Sequence, residues 1–214
     1  MSPTSWMLRA VLASGLLVAL ALTPTASAQP GFGGDGGNVS GPNRAPVISS
    51  FAFEQVPGQK FRFHGRVSDE TPGTCAVVIA GAANVIAMCD ASGNFDVTSN
   101  VASPGTITAT PGDGTLTGAQ ITRNLTNDPP TCSIIAVQGP NNTWTFSGYV
   151  GDECPQGLVV TLSGPAGVNG ATATVQAGGA WSVTLTLAPT ASGFVTATVT
   201  DWYGLTGSST TYFG

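Results

Sequence analysis

The chain has 214 residues, a formal net charge of −5, only 8% charged residues and 29 glycines. Six basic side chains against eleven acidic ones exclude broad nucleic-acid binding, which needs a concentrated basic surface. Scarce charge with abundant Gly, Thr and Ser disfavours long helices and suits strands whose outer faces carry hydroxyls.

The chain opens with Arg9, an apolar run from Val11 to Leu22, Pro24 and then Ala26-Ser27-Ala28. This order predicts a secretory signal peptide over residues 1–28, cut after Ala28. The run is too short to cross roughly 30 Å of hydrocarbon, and no second long apolar stretch follows. The processed chain is therefore expected to be extracellular or held at the cell surface, with no transmembrane segment. Residues 29–44, including Gly33-Gly34-Asp35-Gly36-Gly37, cannot bury a core and are expected to form a flexible Gly-rich tail.

From residue 45 onward the chain repeats itself. Phe61, Phe63, Gly65, Val67, Asp69, Glu70 and Pro72 return 83 positions later as Trp144, Phe146, Gly148, Val150, Asp152, Glu153 and Pro155. Gly93, Phe95 and Val97 return as Gly179, Trp181 and Val183, and Asp113, Leu116, Thr117 and Gly118 as Asp201, Leu205, Thr206 and Gly207. Two copies of one small domain follow, over residues 45–126 and 127–214, joined at Asp128-Pro129-Pro130. In both, apolar residues alternate with polar ones, as in Phe61, Phe63 and Val67 or Trp181, Val183, Leu185 and Leu187. Period two over short segments, punctuated by Pro57-Gly58, Asp113-Gly114 and Gly178-Gly179, predicts six or seven antiparallel strands per copy packed as a sandwich.

Each copy holds two cysteines. Export permits disulfides, and the spacing about a hairpin centred on Ala82 pairs Cys75 with Cys89. Cys132 at the first strand of the second copy and Cys154 after its second strand form the other expected pair. A cysteine metal site would need closer pairs or added histidine, and His64 is the single histidine.

The segments Trp144 to Glu153, Gly179 to Val183 and Thr196 to Gly207 resemble bacterial immunoglobulin-like repeats of secreted and surface proteins. The resemblance implies an all-β chain of two tandem immunoglobulin-like antiparallel β-sandwiches. It also implies a non-enzymatic role in adhesion, spacing or matrix structure, with an extracellular protein or polysaccharide as partner, and it carries over no catalytic residue. In that strand order, the loops bearing Asp152, Glu153 and Asp201 meet the linker Asn127-Asp128 at one end of the second sandwich. These carboxylates suit two roles: capping turns, which their loop positions favour, and binding calcium through Asp128, Asp152, Glu153 and Asp201.

Lys60, Arg62, His64 and Arg66 share the outer face of one strand, with Glu54 and Asp96 expected as cross-strand partners. That stripe, or an exposed ring among Trp202 and Tyr203, supplies the alternative reading of a carbohydrate-binding module. An enzyme is disfavoured because His64 has Ser147 as its counterpart, and neither a Gly-x-Ser-x-Gly elbow nor a phosphate-cradling loop occurs.

Overall fold

The computed structural model describes residues 42–214. The signal peptide expected over 1–28 and most of the Gly-rich tail lie outside the described residues.

Repeat 1 contains β1 (Val47–Val56), β2 (Lys60–Ser68), β3 (Ala76–Gly81), β4 (Val85–Met88), β5 (Asn94–Asn100), β6 (Thr106–Gly112) and β7 (Ile121–Asn124). They form two antiparallel sheets in the orders β1-β2-β5 and β4-β3-β6-β7. Repeat 2 contains β8 (Thr131–Cys132), β9 (Ile135–Gln138), β10 (Thr143–Gly151), β11 (Val159–Ser163), β12 (Thr172–Thr174), β13 (Ala180–Thr186), β14 (Gly193–Thr200) and β15 (Thr206–Phe213). There β8 and β9 both pair with β10, which pairs with β13, and the facing sheet runs β12-β11-β14-β15. The two repeats thus share one immunoglobulin-like topology, with the first strand of repeat 2 broken in two.

The break has a counterpart. In repeat 1 the register of β1 shifts between Ile48 and Ser50, and in repeat 2 Ser133 interrupts the strand at the equivalent place. Opposite each irregularity stands a glycine whose missing side chain lets the backbones close: a Cβ on Gly65 would collide with the Ser50 carbonyl, and one on Gly148 with the Ser133 carbonyl. The repeated glycine is therefore a packing requirement.

The alternation read from the sequence sets the cores. Phe61, Phe63, Val67, Val77, Ile79 and Phe95 are buried in repeat 1, and Phe146, Val150, Val160, Leu162, Trp181 and Val199 in repeat 2. They belong to two separate clusters. Among the described residues no helix is long and apolar enough to cross a membrane.

The expected disulfides are not formed: Cys75, Cys89, Cys132 and Cys154 are free thiols. Cys75 and Cys89 do lie across the hairpin from one another, with the Cys89 amide donating to the Cys75 carbonyl at 3.0 Å. Cys75, Cys89 and Cys154 are buried and Cys132 is half-buried, so the thiols pack as small apolar side chains. Burial, with Asp69 and Cys89 nearby, pushes the Cys75 thiol up to about 11 and so disfavours the reactive thiolate. In repeat 2, Cys132 pairs with Val150 on β10 and points its thiol to the Ser133 carbonyl at 3.7 Å, while Cys154 lies in the loop beyond β10.

Candidate functional site

At the joint, three of the carboxylates singled out in the sequence, Asp152, Glu153 and Asp201, act as acceptors for backbone and amide donors. Asp201 Oδ1 accepts the amides of Tyr203 and Leu205, both at 2.8 Å, and its Oδ2 accepts the Asn127 side-chain amide at 2.7 Å. Glu153 accepts the backbone amide of Asp128 at 3.0 Å, and Asp152 accepts that of Cys154 at 2.8 Å. Asp128 itself is exposed. Short acidic side chains at loop starts turn the chain by bonding amides two to four residues ahead, which is why these loops fold locally.

Repeat 1 builds the same clasp. Asn43 donates to Asp113 at 2.9 Å, the Arg44 amide to Glu70 at 3.5 Å, and the Thr71 amide to Asp69 at 2.8 Å. The amides of Leu116 and Thr115, followed by the Asn43 side chain, hold Asp113 well below the usual carboxylate range. Asn43 and Arg44, assigned by composition to the tail, are thus tied to repeat 1 by donors the Gly-rich context did not advertise. Among the described residues, no group of three or more His, Cys, Asp or Glu side chains is spaced to hold a metal ion.

Asp152 behaves oppositely to Asp113. Burial raises it, and the nearby charges of Glu153 and Asp201 raise it further against the amide bond from Cys154. A carboxyl raised on folding favours the neutral form, so its ionisation opposes folding above its folded pKa and has no such effect below the unfolded value of roughly 3.9. Asp152→Asn is expected to raise the melting temperature of repeat 2 by a few degrees at pH 7. The gain should vanish near pH 3, as thermal melts across pH would read.

Trp202 and Tyr203 divide between the two repeats. Trp202 packs on the core of repeat 2 and donates its indole N–H to the Cys154 carbonyl at 3.1 Å. Tyr203 packs against the core of repeat 1 and donates its hydroxyl to the Val101 carbonyl at 3.1 Å. Burial, then the neighbouring Asp201, raises the Tyr203 phenol and keeps it a donor. These contacts leave both rings half-buried.

Two members of the basic stripe, Arg62 and Arg66, are similarly committed. Arg62 bonds Glu54 at 2.9 Å and forks onto Asp96 from the opposite neighbour strand, as the order β1-β2-β5 requires. Arg66 donates to the Ser92 carbonyl at 3.1 Å, and His64 stands opposite Asp96. An open groove of about 740 Å³ beside the stripe is lined by Ser50, His64, Arg66, Asp90 and Asn94. There Asp90 already accepts the amides of Ser92 and Asn94 at 2.8 and 2.9 Å.

Sequence reasoning missed the pair Phe194 and Tyr212, which stand 69% and 57% exposed with ring centroids 5.4 Å apart. The signal was present: Phe194 shares its phase with Thr196 and Thr198, opposite Val195, Ala197 and Val199.

No protein-family model matches the chain, and no curated protein matches it by sequence. Among solved structures, the C-terminal 282-residue fragment of intimin, in complex with the intimin-binding domain of the translocated intimin receptor, is similar at 14% identity and a TM-score of 0.35. That match covers 77% of this chain and 63% of the fragment. Sidekick-1 immunoglobulin domains 1–5 match at 14% identity and a TM-score of 0.33, over 81% of this chain and 39% of theirs. Domains 5–6 of the S-layer protein SbsC match at 19% identity and a TM-score of 0.27, over 78% and 97%. The chain spans less than two thirds of the first two.

Proposed function

We propose that the two repeats form a non-enzymatic extracellular unit for adhesion or spacing, in which the joint holds one sandwich at a set angle to the next. The observation that carries this reading is Tyr203, a side chain of repeat 2 seated on the core of repeat 1 and hydrogen-bonded to Val101. A flexible tether would not need such a strut. The linker adds to the stiffness, because Pro129 and Pro130 fix two backbone angles and Asn127 and Asp128 are tied to Asp201 and Glu153. The extracellular setting rests on the apolar leader and its small-residue cut site. The partner class remains an extracellular protein or a polysaccharide.

Tyr203→Ala is expected to broaden the distribution of interdomain angles, read as a larger spread of maximum dimensions in small-angle scattering, while both sandwiches keep their circular dichroism. Unchanged scattering in the variant would remove the strut and the spacing role with it.

A second reading has calcium draw Asp128, Asp152, Glu153 and Asp201 together at the joint, where among the described residues no three such side chains stand at metal-ligand spacing without it. It is favoured by two oxygens, Asp152 Oδ2 and Asn127 Oδ1, that are buried without hydrogen-bond partners. Carboxylate and amide oxygens of this kind are calcium ligands. A ligand that binds only the folded state raises its melting temperature with concentration. Under this reading millimolar calcium stabilises the parent and not Asp152→Asn. If the carboxylates act only as turn caps, calcium and chelator give the same melt.

A further inference from the structure

We propose that the outer face of the four-stranded sheet of repeat 2 binds an extended, uncharged polysaccharide, with Phe194 and Tyr212 as the stacking platform. On β11, β14 and β15 the inward phase is Val160, Leu162, Val195, Ala197, Val199 and Phe213, all buried. Period two then sends Thr161, Thr196, Thr198, Ser208 and Thr210 to the opposite face. Pairing aligns them in rows: Thr161 with Thr198 and Thr198 with Ser208, Thr196 with Thr210, and Phe194 with Tyr212. The face is a grid of hydroxyls ending in two exposed rings. The Thr196 and Thr210 hydroxyls bond each other at 2.8 Å, which holds both side chains in one orientation.

Charge selects the ligand. β11, β12, β14 and β15 contain no Asp, Glu, Lys or Arg, so an acidic glycan or a charged protein surface finds no counter-charge there. A neutral sugar chain supplies the complement to this face. Its C–H faces pack on aromatic rings, and its hydroxyls exchange hydrogen bonds with Thr and Ser. Shape selects within that class. Rows about 6.8 Å apart, two residues along each strand, offer length on an open sheet without a pocket, and small ligands are held in concave sites. An extended polymer touching several rows gains affinity by repetition.

Two exposed rings set edge to face at 72°, on a sheet face whose other outward side chains carry hydroxyls apart from exposed Val159, also mark a place where apolar surface is left for a partner. Neither ring takes part in the joint contacts. The inference names the ligand class of the adhesion reading and rests on that reading only for its extracellular setting; the scattering test of Tyr203 and the binding test below fail independently.

The test is depletion of the full chain by microcrystalline cellulose and by chitin, with alginate as the charged comparison. Saturable binding to at least one neutral polymer is expected, insensitive to added salt. Phe194→Ala and Tyr212→Ala should each lower affinity by about tenfold or more, with melting temperatures unchanged because both rings are exposed. Phe194→Leu, which keeps apolar bulk without the ring, should lose binding too. Absence of saturable binding to both neutral polymers, equal binding by the ring variants, or salt-sensitive preference for alginate would each overturn the proposal.

Discussion

Phe146→Ala is expected to abolish the folding transition of repeat 2 while leaving that of repeat 1 in place. Phe146 has no exposed surface, and its ring meets Phe213 edge-on at 5.4 Å, which in turn meets Trp144 at 5.0 Å. Removing it leaves a cavity between β10 and β15 that close-packed neighbours refill only in part. The cost, about 3 to 5 kcal/mol, approaches the whole stability of a small domain. Differential calorimetry should separate the effect, because the two cores are distinct clusters. Phe63→Ala should do the reverse, removing the transition of repeat 1. A Phe146→Ala protein that melts with the parent would show that this ring does not organise the sandwich.

Gly148→Ala is expected to rank next. The added methyl would run into the backbone carbonyl of Ser133, and backbone held by the Ser133 amide's bond to the Tyr149 carbonyl at 2.9 Å cannot step aside as a flexible side chain can. Either β8 and β9 move off β10 or the strand bends, a cost of about 1 to 3 kcal/mol from overpacking alone. Gly207→Ala should behave alike, since its methyl would meet the Pro130 carbonyl, as would that of Gly118→Ala with Pro46. Gly178→Ala, with nothing within 4 Å of the new methyl, is the control. Urea unfolding that found Gly148→Ala and Gly178→Ala equally stable would mean that the first strand does not approach β10 as closely as described.

The sandwich was legible because the sequence states its rules twice. The inward phase of Phe61 and Phe63 is restated by Trp144 and Phe146, and duplicated glycines mark duplicated close approaches. The flanking of Arg62 by Glu54 and Asp96 followed once the strand order was assumed. Other features were hidden for physical reasons. Two adjacent rings, Trp202 and Tyr203, must diverge, but only the docking of the sandwiches gives the second ring a core to enter. Symmetric cysteines imply staples, yet spacing is silent on where each thiol points. Asn43 and Asn127 sit in glycine- or proline-rich contexts that read as linkers, because a tie to a loop 70 or more residues away leaves no local pattern.

The doubled clasp also fixes what a portable unit of this chain would be. Asn127 and Asp128 are gripped by the sandwich that follows them, just as Asn43 and Arg44 are gripped by theirs. Each sandwich therefore carries its own leading adaptor, and the cassette to transplant begins at Asn127, two residues ahead of the prolines. Cut at Pro129, it would leave Asp201 and Glu153 without the partners that orient the incoming chain. Cut at Asn127, it can be set behind another sandwich that offers a carbonyl to Tyr203, so reach could be lengthened in equal steps without redesigning a junction.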